Sequence, residues 1–190
     1  MSHRILEARS RSRSGAVAAL VLALLAALPA AAVVDAHASP SAPPKPDHNP
    51  KPDARISLGA NGALVGDDVY NTTAEGQARS GSARKGKSVS FGISIQNDAA
   101  APAHLRAQAE GSAPGYKVKY LSGTTDVTAD VIAGTWATGV LANGTSELLI
   151  VKISVKAAAP VGSSVSRMVT ITGQGSVPLS DAVSFTAKRK

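Results

Sequence analysis

The chain has 190 residues, of which 44% are hydrophobic and only 3% aromatic, and it carries a formal net charge of +7. It contains no cysteine, which excludes a disulfide scaffold, a thiolate metal site and a cysteine nucleophile. Residues 39–190 hold 16 Lys and Arg against 11 Asp and Glu, and Lys188, Arg189 and Lys190 supply three of these cations. The body of this part is close to neutral and lacks a basic stripe interleaved with aromatic residues, so we expect no nucleic-acid partner.

Residues 1–38 have the pattern of a secretory signal peptide. Four arginines precede an apolar run at 16–28, and Ala-His-Ala at 36–38 matches an A-x-A cleavage site. The arginines are Arg4, Arg9, Arg11 and Arg13. Because the apolar run is shorter than the ~20 residues of a membrane span, we expect cleavage and no membrane span in the mature form. An uncleaved anchor that extends to Val34 is the alternative.

A proline-rich spacer follows at 39–53 and reads SPSAPPKPDHNPKPD. Its six prolines are Pro40, Pro43, Pro44, Pro46, Pro50 and Pro52. Proline fixes φ and favours extended backbone in the residue before it, so we expect a disordered, polyproline-II-like linker. Such a linker can hold a domain away from an attachment point, or it can be a leader that remains after processing.

From residue 54 to residue 190, apolar and polar residues alternate as they do in strands with one buried face. The clearest run is 88–96, in which every second residue from Val89 to Ile95 is apolar. The predicted strands cover 55–58, 88–96, 103–109, 116–120, 125–132, 149–155, 164–172 and 183–186. With turn residues between them and no helical periodicity after residue 38, they predict an all-β fold, an antiparallel immunoglobulin-like (Ig-like) β-sandwich of about 7–9 strands. A closed barrel is the alternative.

Four segments carry a family resemblance: VYNTT at 69–73, IQND at 95–98, YKVKYLSGTTDVTADVIAGTW at 116–136, and LANG at 141–144. They resemble Ig-like modules of bacterial cell-surface and secreted proteins, of the CARDB and fibronectin-III-like kind, over residues 54–187. The resemblance implies the sandwich fold and no fixed site. It also implies a module that is usually repeated beside catalytic or adhesive domains, whereas a single copy is present in this sequence.

The sequence predicts no enzyme, no catalytic residue and no cofactor. His104 is the only histidine after residue 53, and it shares a polar strand face with Arg106, Gln108 and Glu110. A hydrolytic triad needs a histidine that shuttles protons beside a nucleophile, and the sequence has no G-x-S-x-G elbow. His104 is therefore interpreted as a solvated strand residue. An unrecognised extracytoplasmic enzyme is the least favoured alternative.

One weak candidate for a metal site consists of Asp67, Asp68 and Asn71, whose oxygens are of the type that calcium prefers. The spacing does not match a calcium-binding loop. Turn chemistry, in which Asp and Asn satisfy nearby backbone groups, is the favoured interpretation.

The weak binding candidates are Trp136 and the basic segment Lys188, Arg189 and Lys190. A Trp on a loop can stack on a sugar, but a Trp in a β-sandwich is more often a core anchor, and we favour the core. The basic segment can contact anionic wall polymers or lipid headgroups at roughly 1 kcal/mol per charge. A solvated chain end is the simpler interpretation.

These observations predict a non-catalytic structural or interaction module that is secreted or associated with the cell envelope. Its partner is predicted to be an extracellular protein or an envelope polymer. The main alternative function is binding of a cell-envelope glycan or wall polymer.

Overall fold

The computed structural model describes residues 49–190, so the predicted signal peptide and the predicted linker up to residue 48 lie outside the described residues. Within this part the chain forms nine strands and one short helix. They are β1 (Pro52–Leu58), β2 (Ala78–Ala83), β3 (Ser88–Asn97), β4 (Leu105–Ala109), β5 (Tyr116–Ser122), β6 (Thr125–Asp126), α1 (Thr128–Ala133), β7 (Ser146–Val155), β8 (Ser164–Gly173) and β9 (Ser180–Arg189).

The strands form two sheets in an Ig-like arrangement. The first sheet has the order β1-β3-β7-β5-β6, and the second has the order β2-β9-β8-β4. Apart from the short β6, this corresponds to strands A-B-E-D facing A′-G-F-C, where the chain crosses between sheets after β1. The described residues are thus an all-β, Ig-like sandwich, as predicted. Every strand pair is antiparallel except β2–β9, which is parallel and was not expected.

The core lies between the sheets and is built from the inward-facing residues of both. Phe91 of β3 and Phe185 of β9 stack across the interface with ring centroids 5.3 Å apart and an angle of 27°. Strand β2 comes close to this pair, since a Cβ on Gly81 would lie 3.4 Å from Phe91 Cζ and only 2.5 Å from Val89 Cγ2. Both sheets and the whole of this core are contained in residues 52–189, so this part has the contacts that a domain needs to fold alone.

The predicted strand at 125–132 is wrong after its second residue, because the chain turns into α1. Val127 and Val131 are both buried and lie four residues apart, a spacing that fits one face of a helix as well as an alternating strand. The helix ends at Gly134, whose φ of 68° is left-handed and whose N–H donates to the Val131 carbonyl.

The start of the domain overlaps the predicted linker. β1 begins at Pro52, and Pro50 packs so closely on the β8–β9 turn that a Cβ on Gly173 would lie 2.7 Å from it. Asn49 Oδ1 accepts a hydrogen bond from the Val177 N–H at 3.2 Å. Residues 49–53 are therefore part of the folded domain, and the chain enters it beside the β8–β9 turn. In the described part, no helix is long and apolar enough to cross a bilayer.

Candidate functional site

Charge is distributed unevenly along the sandwich. At one end lie eight cations from four separate segments, namely the β2–β3 turn, the start of β5, the residue after β7 and the end of β9. This group, called the basic pole below, consists of Arg84, Lys85, Lys87, Lys117, Lys156, Lys188, Arg189 and Lys190.

Backbone hydrogen bonds between the four segments bring these cations together. The Gly86 N–H donates to the Val155 carbonyl, and the Lys156 N–H donates to the Gly115 carbonyl, both at 2.8 Å. The Lys190 N–H donates to the Ala83 carbonyl at 3.1 Å, which joins the end of β9 to the β2–β3 turn. The sheet register, and not sequence proximity, therefore creates the basic pole.

The cations of the basic pole have no anionic partner among the described residues. The ion pairs within the described residues link Arg55 to Asp53 and Asp67, Lys119 to Asp126, and Arg167 to Glu110. All eight side chains are exposed except Arg189, which is half-buried and donates from Nη1 to the Ala157 carbonyl at 3.3 Å. Like charges held together without counter-charges give this end of the domain a positive potential that attracts anions.

The loop between β7 and β8 lies within the basic pole and exposes apolar residues. Ala157, Ala158, Pro160 and Val161 are all exposed, and Val161 is 76% exposed, the highest value for a large apolar side chain in residues 49–190. The loop is fixed to the end of β9, because the Gly162 N–H donates to the Arg189 carbonyl at 3.0 Å.

The opposite end of the sandwich carries most of the acids and is called the acidic pole below. It consists of Asp53, Asp67, Asp68, Glu75, Asp98, Glu147 and Asp181. Asp181 is fully buried, and its two oxygens accept four N–H groups, those of Ala54, Asn71, Ala182 and the Gln77 amide. This carboxylate ties the start of β1, the β1–β2 loop and β9 together.

Asp53 is the unusual acid of this pole. It is fully buried, neither of its oxygens accepts a hydrogen bond from the described residues, and its nearest cation is Arg55 Nε at 3.6 Å. The pKa of Asp53 is raised to about 7, mainly by burial; the neighbouring Asp98 carboxylate adds to this shift and Arg55 opposes it. Near neutral pH this carboxyl group is therefore divided between its protonated and ionised forms.

Tyr70 lies beside two other carboxylates of the acidic pole. Its hydroxyl donates to Asp68 Oδ1 at 2.8 Å and to Asp98 Oδ2 at 2.6 Å as alternative acceptors, and Lys51 Nζ lies 3.7 Å from the ring centroid. Partial burial and the two carboxylates raise the pKa of Tyr70 well above its usual value. The hydroxyl thus stays protonated as a donor in this arrangement.

We expect Asp53 to make the domain less stable as pH rises from 5 to 8. Its folded-state pKa lies above its ordinary value of 3.8, so the native state holds this proton more tightly, and the resulting stability is lost as pH passes through about 7. At about 1.4 kcal/mol per pKa unit, the loss is about 2–3 kcal/mol. Urea unfolding at pH 5 and pH 8, for wild type and Asp53→Asn, measures this loss.

The Asp53→Asn variant removes the titration of Asp53 and leaves every other titrating group in place. Its own pH dependence therefore measures the contribution of those other groups. Asp126 does not contribute in this range, since hydrogen bonds from Lys119 and Thr128 lower its pKa to about 2. An equal pH dependence in both proteins would show that Asp53 is ionised throughout and that the assigned pKa is wrong.

The three residues of the predicted metal site have separate protein partners. Asp67 pairs with Arg55 at 2.8 Å, Asp68 accepts from Tyr70, and Asn71 Oδ1 accepts the N–H groups of Thr73 and Glu75. Residues 49–190 contain no group of three or more His, Asp or Glu side chains arranged to hold a metal ion. The contacts of Asn71 are those of a turn residue.

Trp136 and the basic segment have different positions. Trp136 is only 9% exposed and packs in the core, so its ring has no open face for stacking on a sugar. Lys188 and Arg189 belong to β9, and Lys190 is hydrogen-bonded to Ala83, so this segment continues the sheet instead of forming a loose end. His104 is exposed, and its Nδ1 lies 2.8 Å from the Thr138 carbonyl, to which it can donate.

A groove of about 680 Å³ lies on the outer face of the second sheet, beside α1. Its apolar wall comes from Ile132 of α1 and Met168 of β8, both of which are partly exposed. Gln108, Glu110 and Arg167 line its polar side. Arg167 is already engaged, since its Nε donates to the Gly111 carbonyl and its Nη1 pairs with Glu110.

Comparison with known proteins gives likeness of architecture only. No protein-family model matches the chain, and no curated protein is similar to it in sequence. The N-terminal domain of PorA is 13% identical, with 72% of this chain and 97% of that chain covered and a TM-score of 0.41. PapD-like domain 7 of human CEP192 is 8% identical, with coverages of 85% and 98% and a TM-score of 0.40.

A third solved structure, the major pilin subunit BcpA of Bacillus cereus in a D312A form, is 13% identical with a TM-score of 0.36. The match covers 75% of this chain and 41% of the pilin. The class of the protein therefore follows from its own strand order, which is that of an Ig-like β-sandwich. The narrower resemblance to CARDB and fibronectin-III modules stays a prediction.

Proposed function

We propose that the protein is an exported, non-catalytic Ig-like module that attaches to a polyanionic component of the cell envelope through its basic pole. The observation that carries this proposal is the convergence of eight cations from four segments, none of which is ion-paired within residues 49–190. The N-terminal pattern of arginines, apolar run and A-x-A site supports export.

The opposite placement of the acidic pole gives the domain an orientation. Near an anionic surface the basic pole is attracted and the acidic pole is repelled, so one end faces the surface. Asn49 enters the domain beside the β8–β9 turn, at the same end as the acidic pole. A module whose linker joins at one end and whose cations lie at the other is suited to contact a surface with the end opposite the linker.

Charge reversal in the β2–β3 turn is expected to weaken envelope binding. Lys85 and Lys87 are exposed, and a cation near an anionic surface contributes about 1 kcal/mol. The double variant Lys85→Glu/Lys87→Glu should therefore bind about tenfold more weakly or worse. Co-sedimentation of residues 39–190 with insoluble envelope from the source organism measures this, and the apolar run at 16–28 is then absent from the protein.

Arg106 offers a matched control because it is an exposed cation on β4, paired with Thr172 near the far end of the second sheet. Arg106→Glu changes the net charge as much as Lys87→Glu does, but it should leave binding within about twofold if the contact is local to the basic pole. Equal losses for Arg106→Glu and Lys87→Glu would indicate a response to net charge alone. Undiminished binding of the double variant would refute the proposal.

A further inference from the structure

We infer that the anionic surface recognised by the basic pole is a lipid bilayer, and that the apolar tip of the β7–β8 loop enters its interface. This inference rests on the proposed function and names the partner of that same site. The tip is defined as Ala157, Ala158, Pro160 and Val161, the exposed apolar residues of the loop.

Cations of the basic pole lie beside this tip. Lys156 precedes it directly, and Arg189 is bound to the loop twice, through its carbonyl to the Gly162 N–H and through Nη1 to the Ala157 carbonyl. Lys190 follows Arg189 and is joined to the β2–β3 turn through Ala83. The tip is thus an apolar group with cations next to it.

This combination favours a bilayer over a soluble polyanion. A charged polymer interacts with the cations but does not remove an exposed valine from water, because the surroundings of the valine remain aqueous. At an anionic membrane the headgroups attract the cations while apolar side chains leave water at the boundary with the acyl chains. A nucleic acid is disfavoured, because the tip has no aromatic ring on which bases could stack.

The tip is also held in place by the domain beneath it. Ala159 is 1% exposed and lies so close to Gly115 that a Cβ there would meet its backbone nitrogen at 2.8 Å. The Tyr116 hydroxyl lies 2.7 Å from the Ser163 carbonyl and 2.8 Å from its Oγ. A loop that is already fixed loses little conformational freedom on docking, so a small apolar tip can contribute to affinity.

Two exposed valines provide a matched pair of variants. Val161 is 76% exposed in the basic pole, and Val140 is 64% exposed in the loop before β7, near Glu147 of the acidic pole. Val161→Ser should bind vesicles of phosphatidylcholine with phosphatidylglycerol about tenfold more weakly than wild type, while Val140→Ser should be unchanged. Both variants of residues 39–190 should bind inorganic polyphosphate as the wild type does, because neither alters charge.

Fluorescence adds a direct readout of insertion. Trp136 is the chain's only tryptophan and is buried, so it gives a constant background when Val161→Trp is introduced. The new indole should shift to the blue with the anionic vesicles, and it should not shift with polyphosphate or with phosphatidylcholine alone.

The outcomes separate this inference from the proposed function. Vesicle binding that Val161→Ser does not weaken, together with an unshifted Val161→Trp spectrum, would overturn bilayer docking while charge-driven attachment stands. Binding of neither vesicles nor polyphosphate by the wild type would overturn both. Loss of vesicle binding in Val161→Ser with polyphosphate binding retained is the expected result.

Discussion

Replacement of Phe91 by alanine is expected to lower the free energy of unfolding by about 3–5 kcal/mol. Phe91 is fully buried between the two sheets and stacks on Phe185, and it is one of only two phenylalanines in the chain. Its removal leaves a cavity that β2 cannot fill, because Gly81 has no side chain to move into it. Urea unfolding followed by circular dichroism measures the change.

The exposed Leu64→Ala variant is the control, since Leu64 is an apolar residue of the β1–β2 loop that lies outside the core. It should change stability by no more than about 0.5 kcal/mol. If Phe91→Ala cost as little as Leu64→Ala, the two sheets would not be joined through the ring pair as described.

Replacement of Asp181 by alanine is expected to cost a similar amount, about 3–5 kcal/mol, for a polar reason. Its side chain accepts the N–H groups of Ala54 at 2.7 Å, Ala182 at 2.8 Å and Asn71 at 3.0 Å, and the Gln77 amide at 2.9 Å. A buried donor without an acceptor costs about 1–3 kcal/mol, and several are lost together. Thermal unfolding at pH 7 measures the effect.

Asp181→Asn keeps the shape but directs an amide group at N–H donors, so it should also be destabilising, although less than alanine. Asp67→Ala removes an exposed partner of Arg55 and should cost less than about 1 kcal/mol. Equal effects of Asp181→Ala and Asp67→Ala would contradict the role of Asp181 as a buried junction between β1, the β1–β2 loop and β9.

Sequence reasoning predicts the strands whose buried face is apolar and regular. The runs at 88–96 and 149–155 become β3 and β7, two of the inner strands of the first sheet. Strand β2 is missed because its sequence, ARSGSA, has no apolar alternation. On its inner face, Gly81 lies so close to Leu58 and Val89 of the opposite sheet that a side chain would not fit. The requirement for glycine is therefore set by the opposite sheet.

The sequence predicts only part of the candidate site. The segment 188–190 is recognised as basic, but the cations at 84–87, 117 and 156 are separated from it by tens of residues, and only the strand pairing unites them. The burial of Asp53 is not predicted from the sequence for a related reason. An acid that follows a proline at the end of a spacer resembles a solvated residue, and only the fold buries Asp53 and brings Asp98, which comes later in the chain, near it.

Trp136 illustrates how one residue type supports two predictions that only burial separates. A single Trp in an aromatic-poor chain fits both a sugar-stacking platform and a core anchor. Its 9% exposure and its contacts in the core favour the anchor. The proposed binding surface instead consists of cations and a small apolar loop, a combination with no short sequence motif.

Attachment of the domain by its basic pole is tested most directly by a salt series of co-sedimentation with insoluble envelope from the source organism. Wild-type residues 39–190 and the Lys85→Glu/Lys87→Glu variant are compared at each salt concentration. The wild type should be retained at low salt and released as salt rises, because screening weakens contacts between exposed charges. The variant should be released at lower salt. Retention that persists at high salt and is equal for both proteins would contradict attachment through the basic pole.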